Sequence, residues 1–206
     1  MRAPRSFYEM PPQRLAPRLI GCLLVRTLPD STRMSGRIVE TEAYLGVKDA
    51  AAHTFGGRRT LRNEAMYGPP GTAYVYFTYG MHHCMNIVCG KEGEPVAVLV
   101  RALAPVEGLE AMRVRRGGAA DRLLCAGPAR LCKAMDIDLT LNGSDMCSGD
   151  ALFVEVSPPL PARKLTRTPR IGVDYAGDWA KKNLRWMLTD DPNVSISASK
   201  NRRAFR

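Results

Sequence analysis

The stretch Pro95-Val-Ala-Val-Leu-Val-Arg-Ala-Leu103 constrains this chain more than any other. It has the length of a strand, and both of its alternating faces are apolar. A strand of that kind is stable inside a sheet that is covered on both sides. The rest of the chain must therefore supply neighbouring strands and a covering layer, and it offers both. Cys22 to Leu28 reads as a strand ended by Pro29-Asp30-Ser31, and Gly36 to Leu45 reads as its partner across that turn. Tyr74 to Tyr79 and His82 to Val88 flank Gly80-Met81 as a hairpin. Helices are expected over Gln13 to Ile20, from Pro105 through Arg116, and from Pro128 to Met135, since proline suits a first helical turn. Strands return at Ala151–Val156, Arg170–Asp174 and Arg185–Leu188. Strands, then helices, then strands give an α+β fold, a mixed domain whose sheet is largely antiparallel.

At 206 residues the chain can bury a full core without disulfide or metal staples. It has no internal repeat and no linker, so residues 1–206 are read as one domain. No run approaches the roughly 20 apolar residues of a membrane span. Met1-Arg2-Ala3-Pro4-Arg5 opens no secretory core. A cytoplasmic protein with no membrane partner is expected. The six cysteines contain no C-x-x-C and read as reduced, mostly buried thiols. His82-His83-Cys84 with Cys89 is the best metal candidate, but neighbours on a strand point to opposite faces and the spacing fits no zinc class. No metal or cofactor is expected.

The formal charge is +10, and between Arg163 and Arg206 stand 11 basic residues against 4 acidic ones. Such a chain favours polyanions, nucleic acid above all, unless the charge is only a solubilising surface. On the strand Arg37 to Leu45, period-two alternation puts Ile38, Glu40, Glu42 and Tyr44 on one face. Two carboxylates and a tyrosine sharing a face are either a solvated edge or a site. Tyr74, Tyr76 and Thr78 share a face of the next strand, and tyrosines clustered near a turn of a basic protein suit stacking on bases. Gly56-Gly57-Arg58-Arg59 is a basic loop suited to phosphate, without the Lys-Ser/Thr of a P-loop.

Together these segments closely resemble the alkyladenine (3-methyladenine) DNA glycosylase family. The matching residues are Gly36-Arg-Ile-Val-Glu-Thr-Glu-Ala-Tyr-Leu-Gly46, Ala51-Ala-His53, Arg62-Asn63 and Gly71-Thr-Ala-Tyr-Val-Tyr-Phe-Thr-Tyr-Gly-Met81. Cys84-Met-Asn86, Val98 to Leu103, Gly127-Pro128 and Arg170 to Val173 follow in the same order, so the resemblance runs from Ser6 to Val194. It implies a hydrolase that flips alkylated or deaminated purines out of duplex DNA and releases them, leaving an abasic site. By the same resemblance Glu42 activates the attacking water, Arg101 lies near that water and the target phosphate, and the carbonyl of Val173 anchors the water. Glu40 is a structural or solvated companion. Tyr44, His53 and Tyr76 form the stacking walls, and Asn86 crowds the amino group of guanine. Tyr79, with Met81 and His82 beside it, is the wedge of a protruding DNA-wedging hairpin.

This chain departs from the vertebrate members at His82, where they carry tyrosine, and near Gly90 to Gly93, where its connection is longer. It also lacks their long N-terminal extension, which fits a compact prokaryotic-type protein; a monomer, nucleoid-associated in the cytoplasm, is the expectation. Three other readings compete. A glycosylase–lyase needs an amine nucleophile, and no lysine falls in the matched pocket. A catalytically silent binder of damaged or structured nucleic acid would not need Glu42 and Arg101. An RNA-binding module rests on charge alone.

Overall fold

The computed structural model describes residues 1–197. Lys200, Arg202, Arg203 and Arg206, part of the basic C-terminal count, lie outside them. In chain order the helices are α1 (Arg5–Tyr8), α2 (Pro12–Leu19), α3 (Leu109–Arg115), α4 (Asp121–Leu124) and α5 (Pro128–Ala134). The strands are β1 (Leu23–Thr27), β2 (Arg33–Tyr44), β3 (Ala73–Thr78), β4 (His82–Cys89), β5 (Val96–Glu107), β6 (Leu152–Glu155), β7 (Leu165–Thr168) and β8 (Arg185–Leu188). They form one antiparallel sheet in the order β3-β4-β5-β2-β1-β6, with β8 bridging β2 and β7. The fold is α+β, as expected.

The period of two sorts the sheet into two faces. Ala43, Val75, Met85, Ile87, Val98 and Val100 join Leu15 and Leu19 of α2 and Leu131 of α5 in the main core. The alternate residues Tyr44, Tyr74, Tyr76, Cys84, Asn86, Leu99 and Arg101 face a cavity on the other side. β2 is no solvated edge. Its first half pairs with β1, its second with β8, and β5 runs along the opposite side.

Two irregularities in the β2–β5 ladder correct the simple alternation. Ile38 pairs with Leu103, Glu40 with Ala102 and Thr41 with Val100, so Val39 and Arg101 have no partner in the register. Such bulges re-aim side chains. Ile38 consequently packs in the main core rather than beside Glu40.

Two other expectations fail. Pro105 opens no helix, because β5 continues through it, paired with Gly36 where the register shifts. The helix begins after Gly108, whose φ of 74° and closeness to Met34 and the Arg33 carbonyl leave no room for a side chain. Arg170–Asp174 is no strand. Gly172 turns left-handed there, and the Ile171 amide donates to the Glu42 carboxylate instead of a ladder. β7 went unread in the sequence.

The thiols of Cys22, Cys84, Cys89, Cys125 and Cys132 are buried and Cys147 is half-buried. Burial raises all six above the usual thiol value, Cys147 to about 11. No helix among the described residues is long and apolar enough to cross a membrane.

Candidate active site

The cavity on the sheet's second face has a volume of about 340 Å³. β2, β3, β4 and β5 form its floor, and the loops 51–53 and 171–175 form its sides. Glu42 lies one layer behind the wall, fully buried, and its carboxylate is bonded to three residues that line the cavity. Oε1 accepts the Ile171 N–H at 2.8 Å and pairs with Arg101 Nη1 at 3.2 Å. Oε2 accepts the Tyr44 hydroxyl at 2.9 Å. A carboxylate offers about four acceptor sites. One remains for a further donor.

Arg101 stands between two carboxylates. Its Nε donates to Glu40 Oε1 at 2.8 Å while Nη1 faces Glu42. Burial opposes its charge, but Glu42 and Glu40 outweigh burial and hold it protonated. Glu40 is structural, not solvated. It also accepts Arg185 Nε at 2.7 Å and the Ser195 N–H and hydroxyl at 2.6 and 2.8 Å. Burial pushes the Glu40 carboxyl up, yet Arg101 and Arg185 hold it below its usual range.

The aromatic walls are built as a group. Tyr74 and Tyr76 stack at 5.4 Å, and His53 meets Tyr76 edge-on at 4.5 Å. His53 Nδ1 lies 2.8 Å from the Tyr74 hydroxyl. Burial, with Arg62 and Arg58 nearby, lowers His53 to about 4, so the ring is neutral at pH 7. Burial and the Glu42 charge raise Tyr44, so its hydroxyl stays a donor. Behind the Tyr44 ring, 4.7 Å from its centre, sits the guanidinium of Arg170. That group is fully buried and grips Asp49 in a fork of 2.6 and 2.9 Å.

Asn86 lines the floor, with Nδ2 donating to the Tyr74 carbonyl at 3.4 Å. The Val173 carbonyl accepts the Ala176 N–H at 2.9 Å and keeps one lone pair. Tyr79 projects from the hairpin tip at the cavity mouth, 84% exposed, with a left-handed φ of 51°. Met81 and His82 do not join it. They line a separate cavity on the far side of the hairpin with His83, Lys133 and Asp138. Cys84 faces the first cavity while Cys89 packs in the core.

The sequence reading thus brings Glu42, Arg101, Val173, Tyr44, His53, Tyr76, Asn86 and Tyr79 to one place. It missed Asp49, Arg185, Ser195 and the exposed Tyr175 at the rim. A signal existed for Arg185, an arginine inside the apolar strand Arg185-Trp-Met-Leu188. Asp49 and Ser195 had none, since nothing local marks them as partners of buried charged groups.

Comparisons with known proteins converge on one family. Residues 6–192 match the family described as methylpurine-DNA glycosylase. The chain is 45% identical over 201 residues to the human protein named DNA-3-methyladenine glycosylase, covering 93% of this chain and 67% of that one. It is 44% identical to the mouse protein of the same name and spans 60% of its length. A putative 3-methyladenine DNA glycosylase of Methanocella arvoryzae is 47% identical over 196 residues, covering 95% of this chain and 96% of the relative. The chain belongs to the methylpurine-DNA glycosylase family.

Proposed function

We propose that this protein is a monofunctional DNA-3-methyladenine glycosylase of base excision repair. It takes an alkylated or deaminated purine from duplex DNA into the aromatic cavity and hydrolyses its N-glycosidic bond. One observation carries this reading: a buried carboxylate, Glu42, is held by three residues of an aromatic cavity wall with one acceptor site left over.

In the proposed reaction a water donates to the free site of Glu42 and to the spare lone pair of Val173. As the bond from C1′ to the base nitrogen breaks, the electron pair leaves with the base and the sugar gains oxocarbenium character. The water oxygen bonds to C1′ and its proton passes to Glu42, whose charge also favours the developing cation. The remaining N–H groups of Arg101 suit the phosphate of the flipped nucleotide. Tyr44, His53 and Tyr76 sandwich the base, and a base made cationic by alkylation gains a cation–π attraction. Asn86 opposes the 2-amino group of guanine. Tyr79 fills the gap in the stack, with Met81 and His82 contacting DNA on the far side of the hairpin.

The proposed substrates are 3-methyladenine, 7-methylguanine, hypoxanthine and ethenoadenine in double-stranded DNA. The enzyme acts as a monomer on the genome in a prokaryotic-type cytoplasm, as one domain and without a cofactor. A lyase reading is disfavoured because no lysine lines the cavity among the described residues. Glu42→Gln keeps shape and removes the base, so single-turnover base release should fall about 100- to 10,000-fold while lesion binding is retained. Near-normal turnover by this variant would sink the assignment and favour a silent binder.

A further inference from the structure

The family match ends at residue 192, yet the chain just beyond it reaches Arg101 and its structural partner Glu40. Val194 to Ile196 lie against β2 and β8, with Val194 packed on Val39, Ala102 and Ala104. Ser195 makes three contacts there. Its N–H donates to Glu40 Oε2 and its hydroxyl donates to Glu40 Oε1. The same hydroxyl oxygen is 3.4 Å from Arg101 Nη2, which donates to it. One step further, the Ile196 carbonyl accepts from Arg185 Nη2, and Arg185 Nε also holds Glu40.

A serine hydroxyl has one hydrogen and two lone pairs. Here the hydrogen goes to Glu40 and a lone pair takes Arg101. Arg101 has five N–H groups: Nε donates to Glu40 and one of Nη2 to Ser195, while Nη1 stands 3.2 Å from Glu42 as an ion pair. The guanidinium is thereby held on three sides, with N–H groups left for the cavity that Arg101 lines. Remove the hydroxyl and Glu40 loses one of its four donors while the Nη2 edge loses its stop.

We infer that Ser195 is a positioning residue for the reaction, setting the orientation of Arg101, and through it Glu42, by bridging Glu40 and the guanidinium. The inference rests on the glycosylase reading for its kinetic consequence but not for its structural one. Small misplacements at a reacting centre slow chemistry by as much as about a hundredfold. Ser195→Ala should slow single-turnover excision about tenfold or more with little change in lesion affinity. Ser195→Thr, which keeps the hydroxyl, should restore the rate to within about twofold.

The experiment has two arms. The first compares Ser195→Ala in the wild-type and Arg101→Ala backgrounds. Positioning through Arg101 predicts that the second background shows no further loss, whereas multiplying losses overturn the inference. The second arm follows solvent exchange of the Arg101 Nε–H by NMR without DNA. It should be slow in wild type, at least tenfold faster in Ser195→Ala, and slow again in Ser195→Thr. Equal exchange in all three overturns the role of Ser195. A protein that orders Arg101 in this way but releases no lesion overturns the functional reading instead.

Discussion

Asp49 and Arg170 form an ion pair with no exposure at all, and the pair carries the back of the Tyr44 wall. Burial alone would lower Arg170, but Asp49 outweighs it and keeps the guanidinium charged. Asp49→Ala would leave that charge unpaired in the interior, at a cost of about 3–5 kcal/mol, read by urea denaturation. The double variant Asp49→Leu with Arg170→Met should recover part of the loss, because it leaves no orphan charge. No recovery would mean that the bonds from Asp49 to the Leu45 and Ala51 amides dominate. His53 acts through pH. Its folded value of about 4 lies below the ordinary 6.5, mainly through burial. Between these values the unfolded chain binds the proton and the folded one does not, so stability falls as pH drops through that window. His53→Asn should flatten this part of the stability profile in denaturant titrations at acid and neutral pH. An unchanged slope would place the acid sensitivity elsewhere.

At the scale of elements, what the sequence disclosed depended on whether a strand obeys its own period. β3, β4 and most of β5 do, so the faces carrying Tyr74, Tyr76 and Asn86 could be read off directly. β2 and β5 break the period at Val39 and Arg101, and a bulge leaves no local mark that separates it from continued alternation. The loop at Ile171 looked like a strand because Ile171 and Val173 alternate as in one, but the Ile171 amide donates to the Glu42 carboxylate instead of a ladder. The family resemblance named the site residues, but the buried Asp49 and Arg185 and the half-buried Ser195 are polar partners brought from distant positions, and pairings of that kind exist only in the fold. The hairpin gives an element-level prediction. Tyr79→Ala should slow excision from duplex much more than from single-stranded DNA, since only a duplex has a stack to fill and unstacking costs a few kcal/mol per step. Equal defects on both substrates would remove Tyr79 from the wedge role.

For the whole molecule the dominant quantity is charge. A net +10 should make DNA affinity fall steeply with salt as lysine and arginine displace counterions from phosphates. Between 50 and 200 mM salt, fluorescence anisotropy should record a loss of about 10³- to 10⁵-fold if six to ten phosphates are contacted. A flat response would make the basic surface a solubility device. The sequence conveyed this charge in full, but not its placement. The buried guanidiniums of Arg101, Arg170 and Arg185 are each matched by carboxylates inside and contribute little to the outward field.

The thiols bear on survival under the conditions that create the substrate. Reagents that methylate purines are electrophiles, and within a protein they attack thiolates most readily. Here five thiols are shut away and every one is held in its protonated form by burial, including Cys84 at the edge of the cavity. Exposure to such a reagent should therefore leave these five cysteines of the protein largely unreacted.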